Sequence, residues 1–308
     1  MGPASGGIVS RKTRSNYAWR ALLLWYGYVP GRDDAFDRHM EKTLVNGLRQ
    51  SETTDKAVAL ALDGVYGPDG RLDTSRTHMF VPNDFVLRAV RRNPELLFGP
   101  SVNPARADAI DELHRVKEQG AVLVKWVPNS QGFDPSDSKF IPFYRKLAEL
   151  RLPLLSHTGY EHCVPATDQM CGDPARLRPA LEEGVTVIAG HSGCSGHFRP
   201  VEFLHNYVEM LKIYPNLHGD LSALLSLSRF GYARRLPELI PDFPDRHLQA
   251  TDFPVTPLTL LLAPRLGPRK TAELTLIRNL FDRDVKTKLA LGYPEKILYN
   301  AARILGID

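Results

Sequence analysis

The sequence predicts a single α/β domain over residues 1–308, built as a barrel of the (β/α)8 type. Three observations point there. Short apolar runs alternate with amphipathic segments along most of the chain. Several of those runs end in a histidine or an acid, which is where a barrel presents functional groups. No GxGxxG or GxxxxGK[ST] loop occurs, which argues against the rival, a doubly wound open sheet.

The strand candidates are "KAVALALD" (56–63), "LLFGPSV" (96–102), "AVLVKWV" (121–127), "LPLLSH" (152–157), "VTVIAGH" (185–191), "NLHGDLS" (216–222) and "HLQATDF" (247–253). They are mostly continuous apolar runs, as parallel strands covered on both faces require. Helices are expected between them. Residues 105–120 place Ala109, Leu113 and Val116 on one face and stop at Gly120. Residues 173–184 begin with an Asp cap and a Pro in the first turn, and end at Gly184. A third helix is expected over 136–150. The run "ALLLWYGYV" (21–29) is too short to span a bilayer and reads as an amphipathic or buried helix.

Composition narrows the function classes. The chain is 43% hydrophobic and 24% charged, with a net charge of +4 and a pI near 8.9. The charge is dispersed, with no basic run interleaved with aromatics, so neither nucleic acid nor a membrane is an expected partner. Cys163, Cys171 and Cys194 show no CxxC spacing, so a disulfide framework and a thiolate zinc site are not expected, and a cytoplasmic setting is. A small-molecule substrate fits best. Apolar surface around residues 17–29 makes a homodimer an expectation.

His157, His191 and Asp252 each terminate a strand candidate, and Lys125 lies near the end of another. Neutral imidazole and carboxylate are ordinary ligands for Zn²⁺ and similar ions, and rigid strand ends hold such groups well. Taken singly, each residue has a plainer explanation: a strand-end His bonded to a neighbouring loop, Lys125 paired with an acid, Asp252 capping a turn. Together, on separate loops of one barrel, they form a candidate metal site. Asn129, His162 and His197 follow in the adjoining loops, and of these Asn129 and His162 are expected to face substrate. Asp220 reads more as a helix N-cap than as a catalytic group. His39 and His114 lie in charged helical segments and look solvated, while His78 falls in a loop.

At these residues the sequence resembles the amidohydrolase superfamily, in the amidohydrolase-2 branch that contains aminocarboxymuconate-semialdehyde decarboxylase and the resorcylate decarboxylases. The resemblance runs over roughly residues 56–308 and rests on the order of "GAVLVKWVPNSQGFDP", "FYRKLAELRLPLLSHTG", "GVTVIAGHSG", "LHGDLSAL", "ATDFP" and "ILYNAARILGI". It implies a barrel with a divalent metal, most simply Zn²⁺, at its mouth. His157 then corresponds to the fifth-strand ligand, and His191 to the sixth-strand ligand or polarising histidine. Asp252 corresponds to the eighth-strand acid, and Lys125 to a fourth-strand lysine that some members carboxylate.

One departure is large. The family opens with an HxH pair on its first strand, and no HxH occurs anywhere in this sequence. Only seven strand candidates are present, which is consistent with a missing first strand, through truncation or true loss. The resemblance implies hydrolysis by a metal-activated water. Non-oxidative decarboxylation of a small carboxylic acid on the same site is the alternative, and a non-catalytic barrel is a third reading. With two ligands absent, weak metal affinity and little activity are expected.

Overall fold

Alternation of apolar and polar residues produces the expected repeat in the computed structural model, which describes residues 1–196, 202–233, 236 and 242–307. Nine strands form: β1 (Ile8–Val9), β2 (Ala57–Leu60), β3 (Met79–Phe80), β4 (Leu96–Gly99), β5 (Val124–Trp126), β6 (Leu154–His157), β7 (Val187–Gly190), β8 (Leu217–Asp220) and β9 (His247–Leu248). Strands β5 to β9 make one parallel sheet in chain order, and β2 pairs in parallel with β4. Isolated parallel bridges from Phe98 to Ala121 and from Ser101 to Lys125 join the two sheets. The result is seven parallel strands in sequence order among the described residues, the arrangement of a (β/α) barrel. A short antiparallel ribbon of β1 with β3, which the sequence reading missed, holds the N-terminus.

Side chains alternate across each strand. One face gives the outer core, where Trp126, Leu154, Val187 and Leu217 are fully buried under the helices. The opposite face turns inward, and Leu123, Leu155, Ile188 and Leu248 meet inside the barrel. The next inward positions up β5, β6 and β8 are Lys125, His157 and Asp220. The pleat that fills the barrel therefore also delivers these groups to its mouth.

The helices used below are α1 (Tyr17–Trp25), α2 (Asp33–Arg49), α3 (Asn83–Arg92), α4 (Ala109–Glu118), α5 (Ile141–Glu149), α6 (Leu204–Ile213), α7 (Leu280–Ala290) and α8 (Ile297–Leu305). Helix α4 buries Ala109, Leu113 and Val116, the face expected from their spacing. The 173–184 segment is tighter than expected. Asp173 caps Ala175, but a 3-10 turn (Pro174–Leu177) precedes the α-helical Arg178–Glu182. The apolar 21–29 run is neither buried nor long. Its helix α1 has no buried residue, and Tyr17, Leu24 and Trp25 are largely exposed.

No strand lies between β9 and β2 among the described residues. Side chains and helices line that seam instead. Gln249 donates its backbone N–H to Ile297 O, and Asn300 Nδ2 donates to His247 O at 2.7 Å, so α8 covers the free edge of β9. Lys288 on α7 reaches Ala250 O at 2.8 Å while pairing with Asp284 at 2.6 Å, both side chains buried. On the outside, Asp282 accepts from Ser51 Oγ and from the Glu52 and Thr53 amides. Phe281 lies against Gly47, where an added Cβ would stand 2.7 Å from its ring. The expected strand 247–253 is correspondingly short. It ends at Leu248, because Lys288 and α8 take the backbone partners a neighbouring strand would supply. No helix among the described residues is long and apolar enough to cross a membrane.

Candidate active site

The functional side chains stand at strand exits where the backbone itself is unusual. Among the described residues five non-glycines have positive φ, and four of them (His191, Ser192, Ala223 and Asp252) follow β7, β8 and β9. Such conformations are unfavourable for L-residues and persist only where surrounding contacts impose them, as at functional sites. Here Asp220 imposes one of them. It is no helix cap. Its carboxylate accepts from the His191 amide at 2.8 Å and the Ser222 amide at 3.0 Å, tying the β7 exit to the β8 exit.

His157 and His191 meet at the mouth with ring centroids 4.8 Å apart, edge to face. His191 Nδ1 lies 3.1 Å from Ser222 O and 2.7 Å from Ser222 Oγ. His157 Nδ1 faces the Glu161 carboxylate at 3.6 Å. Its Nε2 is buried with no hydrogen-bond partner. Burial first, then the positive charges of Arg229 and nearby groups, holds both imidazoles well below their usual pKa, so they are neutral at pH 7.

Opposite charges face each other around these rings. Asp252 is pushed up to about 7, first by burial, with Asp220 and Glu161 adding and Arg229 and Lys125 opposing. Asp252 is nonetheless a solvent-exposed residue, and solvent screening makes its rise smaller than full burial would. Burial also lowers the Lys125 pKa, against the pull of Asp220, Asp252 and Glu161. Arg229, which sequence reasoning missed, is 5% exposed. It donates to Cys194 O at 3.0 Å and Tyr160 O at 2.9 Å. Neither Arg229 nor Lys125 lies within ion-pair distance of a carboxylate among the described residues. A thiol mechanism is disfavoured, because burial and the Glu161 and Asp252 charges push Cys163 up to about 12.

The remaining predicted residues divide. His162 Nε2 lies 3.0 Å from Ser195 O, and its own carbonyl accepts from Asn16. Asn129 is fully buried and donates to Gly159 O and to Gln169, so it props the loop after β6 from beneath. His197 lies outside the described residues. His78 Nδ1 lies 3.1 Å from Ser10 Oγ, in the N-terminal ribbon. Glu161, like Arg229, was not found from sequence, since an acid or arginine in a loop carries no periodic signal.

The expected metal ligands only partly converge. The two imidazoles and the unpartnered His157 Nε2 suit two positions around a metal ion. No group of three His, Cys, Asp or Glu side chains stands at metal-binding spacing among the described residues. These residues do not make a complete metal site. A separate cavity of about 360 Å³, bounded by Asp63, Asn83, Arg106, Glu112 and Arg115 among others, is a different kind of place. Its charges are paired internally, Arg106 with Asp63 and Arg115 with Glu112.

The strand order agrees with what known proteins show. The model of one protein family, Amidohydrolase, matches residues 49–307. The chain belongs to that amidohydrolase family. Among solved structures, this amidohydrolase is similar to an uncharacterized TIM-barrel protein from Bordetella bronchiseptica, at 15% identity and a TM-score of 0.56, over 88% of this chain and 89% of that one. It is similar to a probable 2-pyrone-4,6-dicarboxylic acid hydrolase from Acinetobacter baumannii with citric acid bound, at 16% identity and a TM-score of 0.55, over 87% and 90%. A putative hydrolase of the same acid from Pseudomonas putida has 16% identity and a TM-score of 0.50, over 73% and 77%. These likenesses establish the TIM-barrel fold. No protein of curated function matches the sequence.

Proposed function

We propose that this amidohydrolase hydrolyses an ester, lactone or amide of a small carboxylic acid. The observation that carries the reading is Asp252 standing in the field of two cations, Arg229 and Lys125. Asp252 follows β9 in a left-handed backbone conformation, ionises near neutrality, and feels the charges of Arg229 and Lys125, which lie within ion-pair distance of no carboxylate among the described residues. A substrate supplies one, and guanidinium is suited to hold it. Asp252 then takes a proton from a water molecule, whose oxygen adds to the substrate carbonyl. Collapse of the adduct breaks the C–O or C–N bond, and the proton held on Asp252 passes to the leaving atom. The neutral imidazole of His191 donates through Nδ1 to Ser222, which leaves its Nε2 as an acceptor that would orient the attacking water.

A divalent ion such as Zn²⁺ enters this reading only as a weakly held ion on His157 and His191, so no step depends on it. The dicarboxylic acid named for two similar structures makes 2-pyrone-4,6-dicarboxylate the first compound to try. The test is a panel of esters, lactones and amides of small mono- and dicarboxylates, assayed with wild type, Asp252→Asn and Arg229→Gln. Turnover that disappears in both variants supports the reading. Equal turnover in Asp252→Asn would sink it, and release of CO₂ without hydrolysis would replace it with decarboxylation.

A further inference from the structure

Helix α1 is held at both ends by the loops that carry the site. Before it, Asn16 Nδ2 donates to His162 O at 3.1 Å, on the loop after β6. At its far end Tyr26 Oη donates to Pro254 O at 3.1 Å, two residues past Asp252, and its ring meets Phe253 edge to face at 5.9 Å. Ten residues of helix span about 15 Å, which carries the chain from the loop after β6 to the loop after β9. The anchors and the residues between them, Asn16, Trp19, Leu22, Leu23 and Tyr26, recur at intervals of three and four and so share one face. Trp19, Leu22 and Leu23 are half-buried, while Tyr17, Arg20, Ala21, Leu24 and Trp25 on the other side are exposed. None of these residues belongs to a core cluster. The helix is roofing, not core.

One atom on that face is unexplained by packing. The indole Nε1 of Trp19 is shielded from solvent and has no hydrogen-bond partner. A buried donor without an acceptor is destabilising, and native proteins rarely leave one. His157 Nε2, at the end of β6, and Ser195 Oγ, on the loop after β7, are unpartnered in the same way. We propose that α1 is the roof of the substrate site, and that Trp19 donates its indole N–H to the substrate while Leu22 and Leu23 cover its apolar body. The inference rests on the reading of the substrate as a small carboxylate and narrows it: a flat molecule with a polar acceptor on its upper side and its carboxylate at Arg229 below. The roof selects planar over bulky or fully polar acids.

Calorimetric titration with benzene-1,3-dicarboxylate, a flat dicarboxylate, tests this. Wild type, Trp19→Phe, Trp25→Phe and Arg229→Gln are compared, with cyclohexane-1,3-dicarboxylate as the puckered control. Trp19→Phe keeps the ring and removes the N–H. It is expected to bind the flat acid about tenfold more weakly, the value of one hydrogen bond. Trp25→Phe, on the exposed face, is expected to bind as wild type does. Quenching of tryptophan fluorescence on binding is expected to vanish with Trp19 and persist without Trp25. If Trp19→Phe binds as tightly as wild type while Arg229→Gln loses binding, the roof is overturned and the carboxylate reading stands. If wild type binds neither acid, both fall.

Discussion

Strands β6, β7 and β8 and strand β2 belong to one barrel, yet they live in different surroundings. Every residue of Leu154–His157, Val187–Gly190 and Leu217–Asp220 is buried. In Ala57–Leu60 none is, and Leu60 is 40% exposed. The enclosed strands carry His157 and Asp220 and lead into His191, whereas β2 borders the seam and carries no site residue. Enclosure and chemistry go together because a group can be held in a fixed place, and its pKa moved, only where neighbours on all sides resist movement and exclude water.

The comparison can be broken in order of expected effect. Asp252→Asn removes the proposed proton acceptor and should lower turnover by about 10²–10⁴-fold, measured as kcat on the best substrate of the panel. Lys288→Met leaves Asp284 buried without its partner, so denaturant unfolding should show a loss of about 3 kcal/mol, the seam failing as a core would. Ile188→Ala, inside the enclosed wall, should cost a similar amount, about 3 kcal/mol. Leu60→Ala on the open strand should cost less than about 1 kcal/mol. Equal losses for Ile188→Ala and Leu60→Ala would mean that β2 is as enclosed as the rest.

Acid–base behaviour sharpens the contrast. Asp252, at about 7 when folded, holds a proton that the unfolded chain releases near 3.9. Its contribution to stability is therefore complete below about pH 4 and lost as pH rises through 7. His157 and His191 act in the opposite sense, stabilising above about 6.5 and progressively less as pH falls. Thermal melts should show Asp252→Asn gaining on wild type between pH 5 and pH 8. An unchanged difference would place Asp252 in ordinary solvent. The smallest signal concerns metal: after dialysis against a chelator, mass spectrometry should find well under one Zn²⁺ per chain, and His157→Ala should not differ.

Much of this was legible in the sequence, for physical reasons. The apolar runs marked the strands from β5 to β8, and the helical period of α4 placed Ala109, Leu113 and Val116 in the core before any coordinates. His157 and His191 were readable because they end apolar runs. Arg229 was not, since its place is set by long-range hydrogen bonds to Cys194 and Tyr160, and Glu161 was not, since it sits in a loop held by local bonds to the Cys163 and Val164 amides. Asp252 was recognised, but as a strand end, whereas it lies four residues past one. The convergence of His157, His191, Lys125 and Asp252 was readable as a neighbourhood but not as a coordination shell, because distances between strand exits depend on the tilt of the wall. Helix α1 was legible as a helix, and of the two readings offered, amphipathic or buried, the amphipathic one holds, with Trp19, Leu22 and Leu23 on its half-buried face.

The seam has a geometric consequence for assembly. One flank, at β9, is sealed by α8 and Lys288, and the other, at β2, has no neighbouring strand among the described residues. A sheet that can be extended from one side only cannot seed a fibre. Two copies meeting through their β2 edges would do so across a twofold axis, each using the edge left open among the other's described residues, and backbone pairing would end at two.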